Sequence, residues 1–139
     1  MPYWQLFYHA VWATLSREPL LGPEVEAFAH GLIRDKAQGL GAVVHALNGM
    51  EDHVHLVVSL PPKLAPAFFI GQVKGASSTR LNQSRRLDRP FFWQDEYSVF
   101  SLDAKRLPYH VAYVDGQKAH HAQSTVIPVL EKTGEESSS

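Results

Sequence analysis

Two histidines separated by one residue are the feature of this sequence with the clearest chemistry. His53 and His55 lie in a β-branched run, Asp-His-Val-His-Leu-Val-Val-Ser, which is typical of a strand. Because side chains alternate across a strand, both imidazoles project from one face, roughly 7 Å apart along the strand. The chain has eight histidines and no cysteine, so histidine is its candidate metal ligand. The alternative is two polar residues on an exposed face, and a metal site needs ligands from a second element.

A tyrosine and a glutamine near the end of the chain are the second candidate group. Tyr113 and Gln117 are four residues apart in a stretch with helical character, so they share one helix face. A phenol oxygen can attack phosphorus and hold a covalent intermediate, and an amide oxygen can bind a metal ion. An ordinary amphipathic packing helix would account for the same residues, so this pattern leaves both interpretations open.

The formal net charge of −1 argues against a strongly basic nucleic-acid binder, but the charge is unevenly distributed. Residues 63–89, which we call the basic strip, carry six basic residues and one acidic residue, a net +5. The strip is either an ordinary solvated face or a local phosphate-binding surface next to the aromatic run 91–93, of which we expect at least two residues to be core. Its candidate DNA-binding residues are Lys74, Arg80, Arg85, Arg86 and Arg89.

Length and composition bound the class of protein. The chain has 139 residues, of which 45% are hydrophobic and 19% charged, as expected for one globular domain. The absence of cysteine excludes a disulfide framework, a thiolate zinc site and a cysteine nucleophile, and is compatible with the cytoplasmic location we expect. No apolar run is long enough to span a membrane and no signal peptide is recognisable. We expect a domain over residues 1–125 and a flexible polar tail over 126–139.

The order of predicted elements gives the fold class. Hydrophobic periodicity and turn residues predict the order strand, helix, strand, strand, helix, strand, helix, in an α+β protein. This order indicates a ferredoxin-like split β-α-β antiparallel sheet, with helices on one face and an added C-terminal helix that carries Tyr113. The predicted ranges are 6–15, 23–39 or 23–41, 42–47, 52–59, 65–81, 91–100 and 108–121, with a hairpin turn at Asn48-Gly49.

These motifs, in this order, resemble those of the single-tyrosine transposases of the HUH class, including the transposases associated with REP sequences. HUH denotes histidine, hydrophobic residue, histidine, which His53-Val54-His55 matches. The resemblance covers about residues 6–121, and its other motifs are Phe7–Thr14 with Arg17–Leu20, Lys74–Ser78, Trp93–Tyr97, Tyr113–Gln117 and His120–His121.

The resemblance implies a function and assigns roles to residues. His53, His55 and Gln117 would bind Mg²⁺ or Mn²⁺, and Tyr113 would be the nucleophile. The protein would then be a DNA transposase that cleaves and rejoins single-stranded DNA with hairpin ends through a 5′-phosphotyrosine intermediate. The family's members act as homodimers, so a homodimer is expected, with Tyr113 serving the metal site of either its own chain or the partner.

The sequence departs from the family's pattern at two positions, and two other functions remain open. Asp115-Gly116 interrupts the tyrosine helix with a glycine, which costs about 1 kcal/mol relative to alanine, and Pro108 lies at its approach. One alternative is a non-catalytic single-stranded nucleic-acid-binding protein on the same scaffold. The other is a metal-dependent hydrolase that uses His53, His55 and His121 with water as nucleophile.

Overall fold

A four-stranded antiparallel sheet forms the centre of the computed structural model, which describes residues 3–134. Its strands occur in the spatial order β2-β3-β1-β4, and two long helices make the connections from β1 to β2 and from β3 to β4. This is the predicted ferredoxin-like, split β-α-β arrangement. The bounds are β1 (Phe7–Ala13), α1 (Pro23–Gly39), β2 (Val43–Met50), β3 (His53–Ser59), α2 (Pro66–Ser84), β4 (Ser98–Leu102), α3 (Leu107–Asp115) and α4 (Gln117–Ala122).

The main hydrophobic core lies between one face of the sheet and helices α1 and α2. Val54, Leu56 and Val58 alternate along β3 toward this core, and each is at most 1% exposed. Trp12 from β1 and Phe69 from α2 are equally buried against them. Because this face of β3 is wholly apolar, the intervening residues His53, His55 and Val57 must point to the opposite face.

The opposite face of the sheet is covered by α3, α4 and the residues that follow them. Val57 packs there with Tyr113, Val114 and Leu130 in a second, smaller core. Helix α3 has Pro108 in its first turn, as the sequence predicts. The predicted single helix to His121 is interrupted, however, because Gly116 leaves the helical conformation (φ −91°, ψ 13°) and a new helix, α4, starts at Gln117.

The C-terminal segment differs from the expected flexible tail over residues 126–134. Pro128–Glu131 form a 3₁₀ turn, and Leu130 is only 7% exposed because it packs in the second core. The apolar residues Ile127 and Leu130 account for this docking, since burying them on the sheet removes apolar surface from water. Residues 135–139 of the expected tail lie outside the described residues.

The hairpin between β2 and β3 turns later than predicted. Asn48 and Gly49 pair with His55 and Val54 inside the sheet, and the turn falls at Glu51 and Asp52. A Cβ atom on Gly49 would lie 2.2 Å from the backbone oxygen of His53. Gly49 therefore permits close approach of the two strands and does not form the turn.

The last strand is also shorter than predicted. Within the aromatic run 91–93, only Trp93 forms a β-bridge, with Thr14, and the regular strand begins at Ser98. Phe91 and Trp93 are buried, which confirms that two of the three aromatics belong to the core, whereas Phe92 is 55% exposed. Over the part of the chain that the structure describes, no helix has the length and hydrophobicity required to cross a membrane.

Replacing Gly49 by alanine should destabilise the protein because the added Cβ would overlap the backbone of β3 at His53. We expect the free energy of unfolding, measured by urea denaturation, to fall by about 1–3 kcal/mol. The matched control is Gly31→Ala in the exposed face of α1, where a Cβ meets nothing within 4 Å. That change should raise stability by about 0.5–1 kcal/mol. Equal effects of the two substitutions would contradict this account of Gly49.

A candidate metal and tyrosine site on the second face of the sheet

His53 and His55 lie side by side on β3, with their ring centroids 5.1 Å apart. They are 1% and 0% exposed, because α3, α4 and the C-terminal turn cover this face of the sheet. The predicted shared face is therefore correct, but the imidazoles are buried and not on an open surface. A buried imidazole needs partners for both ring nitrogens, since an unpaired buried polar group is costly.

The Nδ1 atoms of the two histidines are each held by a neighbouring side chain. His53 Nδ1 lies 2.7 Å from a carboxylate oxygen of Asp52, whose other oxygen accepts a hydrogen bond from Arg17 Nε at 3.1 Å. His55 Nδ1 lies 2.9 Å from His9 Nε2. Such partners fix the orientation of a ligand histidine and leave its other nitrogen to face the site.

The Nε2 atoms of both histidines face the carboxylate of Glu131. Glu131 Oε1 lies 3.2 Å from His53 Nε2, and Oε2 lies 3.2 Å from His55 Nε2. Oε1 also lies 2.9 Å from Nε2 of His121. The 3₁₀ turn of Pro128–Glu131, anchored by buried Leu130, places this carboxylate at the centre of the site.

Gln117, at the start of α4, is fully buried and completes the same cluster. Its Oε1 lies 3.2 Å from His53 Nε2 and 3.0 Å from His121 Nε2. Its Nε2 donates to Glu131 Oε2 at 3.1 Å. The amide thus presents its oxygen toward the imidazoles and its N–H toward the carboxylate. Lys118 holds helix α4 against β2, because its Nζ donates a hydrogen bond to Asn48 Oδ1 at 2.9 Å.

Tyr113 is 3% exposed, and its hydroxyl reaches the same carboxylate. The phenol donates a hydrogen bond to Glu131 Oε2 and accepts one from the backbone N–H of Ile127 at 3.0 Å. Its ring stacks on His120 at a centroid distance of 4.8 Å. Burial, together with the hydrogen bond to the Glu131 carboxylate, raises the pKa of Tyr113 to about 12. In this arrangement the phenol keeps its proton at neutral pH.

The protonation states follow from burial and from these contacts. Burial lowers the pKa of His53, but its hydrogen bonds to Asp52 and Glu131 outweigh that effect and raise the pKa to about 9. Burial lowers the pKa of His55, and burial beside two further imidazoles lowers that of His9 to about 3. Burial alone would raise the pKa of Glu131, but the close approach of His53 and His55 and the hydrogen bond from Tyr113 hold the pKa well below the ordinary value. These contacts favour the protonated form of His53 and the neutral forms of His55 and His9, and a metal ion bound at His53 Nε2 would replace the proton there.

The donor set fits a divalent metal ion. His55 Nε2 is buried and makes no hydrogen bond within the described residues, because its contact with Glu131 lacks hydrogen-bonding geometry. Ligand atoms from His53, His55 and Glu131 all lie within 4.8 Å of one another. The separations of 3.2 Å at Glu131 resemble those between adjacent ligands of a small octahedral ion, roughly 3 Å for bonds of 2.0–2.1 Å. Imidazole with carboxylate and amide oxygens is a mixed set that Mn²⁺ or Mg²⁺ accepts.

The structure thus brings together the residues predicted for catalysis and metal binding, which are His53, His55, Tyr113 and Gln117. The candidate DNA-binding residues of the basic strip lie elsewhere and make no contact with them. Lys74 Nζ donates to the backbone oxygens of Gln94, Asp95 and Glu96 at 2.5, 3.1 and 3.2 Å, so it braces the loop before β4. Arg86 and Arg89 form exposed ion pairs with Glu24 and Glu18 at 3.1 and 3.0 Å. Arg80 and Arg85 are exposed at the end of α2.

Sequence reasoning missed three residues of the site. Asp52 directly precedes His53 and could have been considered as its partner. His9 shares a face of β1 with Val11, which pairs with His55 in the sheet, so its position depends on the strand register. Glu131 follows the apolar residues of 126–130, and that short apolar run was the one available signal that the segment docks.

Known proteins support a functional class for this geometry. Residues 2–117 match the sequence model of the family described as "Transposase IS200 like". The ISDra2 transposase TnpA of Deinococcus radiodurans is 29% identical over 119 residues, which cover 82% of this chain and 85% of that protein. The transposase for insertion sequence element IS200 of Salmonella typhimurium is 27% identical over 78 residues, covering 56% of this chain and 51% of that protein.

Solved structures agree with the sequence comparisons. A crystal structure of a Deinococcus radiodurans protein described as a transposase superposes with a TM-score of 0.69 at 28% identity, covering 84% of this chain and 95% of that one. A REP-associated tyrosine transposase bound to a REP hairpin shares the fold, with a TM-score of 0.66 at 14% identity over 87% of this chain and 74% of that one. The expected resemblance to insertion-sequence transposases is confirmed, and the chain belongs to the IS200-like transposase family.

Proposed function

We propose that this transposase cleaves and rejoins single-stranded DNA with Tyr113 as its nucleophile, assisted by a divalent metal ion. The observation that carries the proposal is the convergence of a phenol, two buried imidazole Nε2 atoms and the amide N–H of Gln117 on the single carboxylate of Glu131. The amide oxygen of Gln117 faces His53 in the same cluster. A purely structural core has no need to bury so many polar groups at one point, because each has a desolvation cost.

The residues divide the chemistry between them. The phenolic oxygen of Tyr113 forms a bond to phosphorus while the bond from phosphorus to the 3′ oxygen breaks, leaving a 3′-hydroxyl and a 5′-phosphotyrosine. Glu131 Oε2 accepts the hydrogen bond of the phenol and so is placed to receive its proton. The departing 3′ oxygen takes up one proton to become the hydroxyl, so no net proton is gained or lost. Because one phosphodiester replaces another, rejoining reverses the same step and requires no nucleotide cofactor.

The metal ion would be held by the Nε2 atoms of His53 and His55 and by the side-chain oxygens of Gln117 and Glu131. A bound Mg²⁺ or Mn²⁺ would polarise the scissile phosphate and neutralise charge that develops in the transition state. Asp52 and His9 would hold the two imidazoles in place through their Nδ1 atoms.

Single-stranded DNA with hairpin ends is the proposed substrate. The related fold that is bound to a REP hairpin supports this choice, as do the exposed Arg80, Arg85, Arg86 and Arg89 of the basic strip. Tyr113 lies beside the histidines of its own chain, so one chain holds all the proposed groups. We also propose a homodimer, in which Tyr113 serves the metal site of either its own chain or the partner.

A hydrolase with water as nucleophile is the second candidate, and the position of His121 favours it. His121 Nε2 lies 2.9 Å from Glu131 Oε1, and its ring centroid is 5.1 Å from that of His53. A third imidazole could therefore join the ligand set in place of Gln117. The two mechanisms differ in whether a protein–DNA bond forms, and that bond can be detected directly.

Substitution of Tyr113 by phenylalanine should abolish covalent attachment to DNA because the nucleophilic oxygen is lost. The assay incubates the protein with Mn²⁺ and a labelled single strand that carries the flanking hairpin of its own gene, then separates protein–DNA adducts by denaturing electrophoresis. The matched control is Tyr109→Phe, one turn earlier on α3, where the ring is 62% exposed. We expect the adduct with the wild type and with Tyr109→Phe. We expect no adduct with Tyr113→Phe, and none with the wild type when EDTA removes the metal ion.

Each alternative has its own outcome in this assay. DNA cleavage that persists in Tyr113→Phe would exclude the tyrosine mechanism and favour hydrolysis with His121 as a ligand. Binding of the hairpin strand by wild type without cleavage or adduct, in the presence of Mn²⁺, would identify a non-catalytic DNA-binding protein.

Replacing Glu131 by glutamine should lower the pKa of Tyr113 from about 12 toward the ordinary value of 10.0. The neutral amide no longer repels the phenolate or stabilises the protonated phenol, although burial remains, so the decrease is partial. An NMR titration of ¹³Cζ-labelled tyrosine, assigned with Tyr113→Phe, measures the change. Glu24→Gln on α1, whose exposed carboxylate pairs with Arg86, serves as the control. An unchanged or higher Tyr113 pKa in Glu131→Gln would show that this carboxylate does not set the protonation of the phenol.

A further inference from the structure

A third buried histidine extends the site away from the metal ligands. His9, on the central strand β1, is fully buried and contacts two other imidazoles. Its Nε2 lies 2.9 Å from His55 Nδ1, and its Nδ1 lies 2.9 Å from Nδ1 of His110 on α3. The three rings therefore form a continuous chain, His55–His9–His110, which we call the histidine chain.

Each nitrogen–nitrogen contact in this chain requires one proton. A neutral imidazole has one N–H, so it donates through one nitrogen and accepts through the other. If the proton of His55 lies on Nδ1, it donates to His9 Nε2, and the proton of His9 must then lie on Nδ1. His9 in turn donates to His110 Nδ1, which leaves the proton of His110 on Nε2. The tautomers of all three rings are thus linked.

The direction of this chain decides whether His55 can bind a metal ion. In the pattern just described, His55 Nε2 carries no hydrogen and presents its lone pair to the site. In the reverse pattern, His110 donates to His9, His9 donates to His55, and the proton of His55 lies on Nε2. A protonated Nε2 cannot be a ligand, so the first pattern is the one that metal binding requires.

His110 lies at the outer end of the chain. It is 8% exposed and borders a surface cavity of about 510 Å³. His110 lies one turn before Tyr113 on α3, so the chain also links the tyrosine helix to the ligand strand. The cavity is lined by Asp103, Lys105, Arg106, Tyr109 and His110.

We infer that His9, supported by His110, is a positioning residue that fixes the tautomer of His55 so that its Nε2 is free to bind the metal ion. The inference rests on the metal site proposed above and assigns a role to residues that make no contact with that ion. Second-sphere partners of this kind typically change metal affinity by about 10- to 100-fold when removed.

The test measures the affinity of the DNA-free protein for Mn²⁺ by isothermal titration calorimetry. We expect His9→Leu to weaken binding roughly 10- to 100-fold, because His55 loses the acceptor that holds its Nδ1 proton. His9→Gln should retain most of the affinity, since a glutamine amide oxygen can occupy the position of His9 Nε2. His9→Asn is the matched negative control and should weaken binding as His9→Leu does. Its shorter side chain ends near the position of His9 Nδ1, away from His55.

Three further variants complete the set. His110→Leu should weaken binding less than His9→Leu, because it acts through His9. His45→Leu on β2 should leave the affinity unchanged, since that ring packs on Phe7 and not on the histidine chain. His53→Ala removes a proposed ligand and reports on the metal site itself.

A long-range ¹H–¹⁵N NMR spectrum with Mg²⁺ should show the His55 proton on Nδ1 in wild type, and part of that population on Nε2 in His9→Asn.

The outcomes separate the inference from the proposed function. Mn²⁺ affinity that depends on His53 but is equal in wild type, His9→Gln and His9→Asn would overturn the role of the histidine chain and leave the metal site intact. Mn²⁺ affinity that is the same in wild type and His53→Ala would overturn the metal site, and the inference with it. Should His9→Leu fail to fold, the contrast between His9→Gln and His9→Asn decides the question.

Discussion

Burial of two imidazoles on a central strand is the constraint on which this structure depends. His53 and His55 have almost no contact with solvent, so each ring nitrogen needs a partner from the protein or from a bound ion. Asp52 and His9 serve the Nδ1 atoms, while Gln117 and Glu131 face the Nε2 atoms. Since these four partners come from four different elements, the position of each element is tied to the same two rings.

The need to cover the histidines also accounts for the second layer of the fold. Helices α1 and α2 pack on one face of the sheet, as in any ferredoxin-like domain, and that face is apolar throughout β3. The other face carries the polar cluster, and α3 closes it with Tyr113 and Val114. The break at Gly116 lets α4 start at Gln117, and Lys118 then fixes α4 to β2 at Asn48 and Gly49. A glycine that appeared unfavourable within a helix lies at the boundary of two helices.

The parts of the site that the sequence predicts are those carried by local periodicity. Strand alternation places His53 and His55 on one face. Tyr113 and Gln117, predicted to share a helix face, meet at Glu131 although Gly116 divides the predicted helix between them. Glu131 could not be found in this way, because its position depends on the burial of Leu130 against a distant sheet. The hairpin turn was misplaced for a related reason: Asn48-Gly49 has the local preferences of a turn, yet Gly49 is required by close contact between two strands.

Charge distribution resolves the apparent conflict between a net charge of −1 and a DNA substrate. Two of the acids, Asp52 and Glu131, lie within the site, where they contact the histidines and would offset the charge of a bound divalent ion. Others neutralise the basic strip at the surface, where Glu18 and Glu24 pair with Arg89 and Arg86. Exposed ion pairs of this kind contribute about 0–1 kcal/mol, so a phosphate can replace the carboxylate at little cost. The acids therefore balance the total charge, but the arginines that they pair with can still bind phosphate. A nearly neutral chain thus retains a surface suited to DNA.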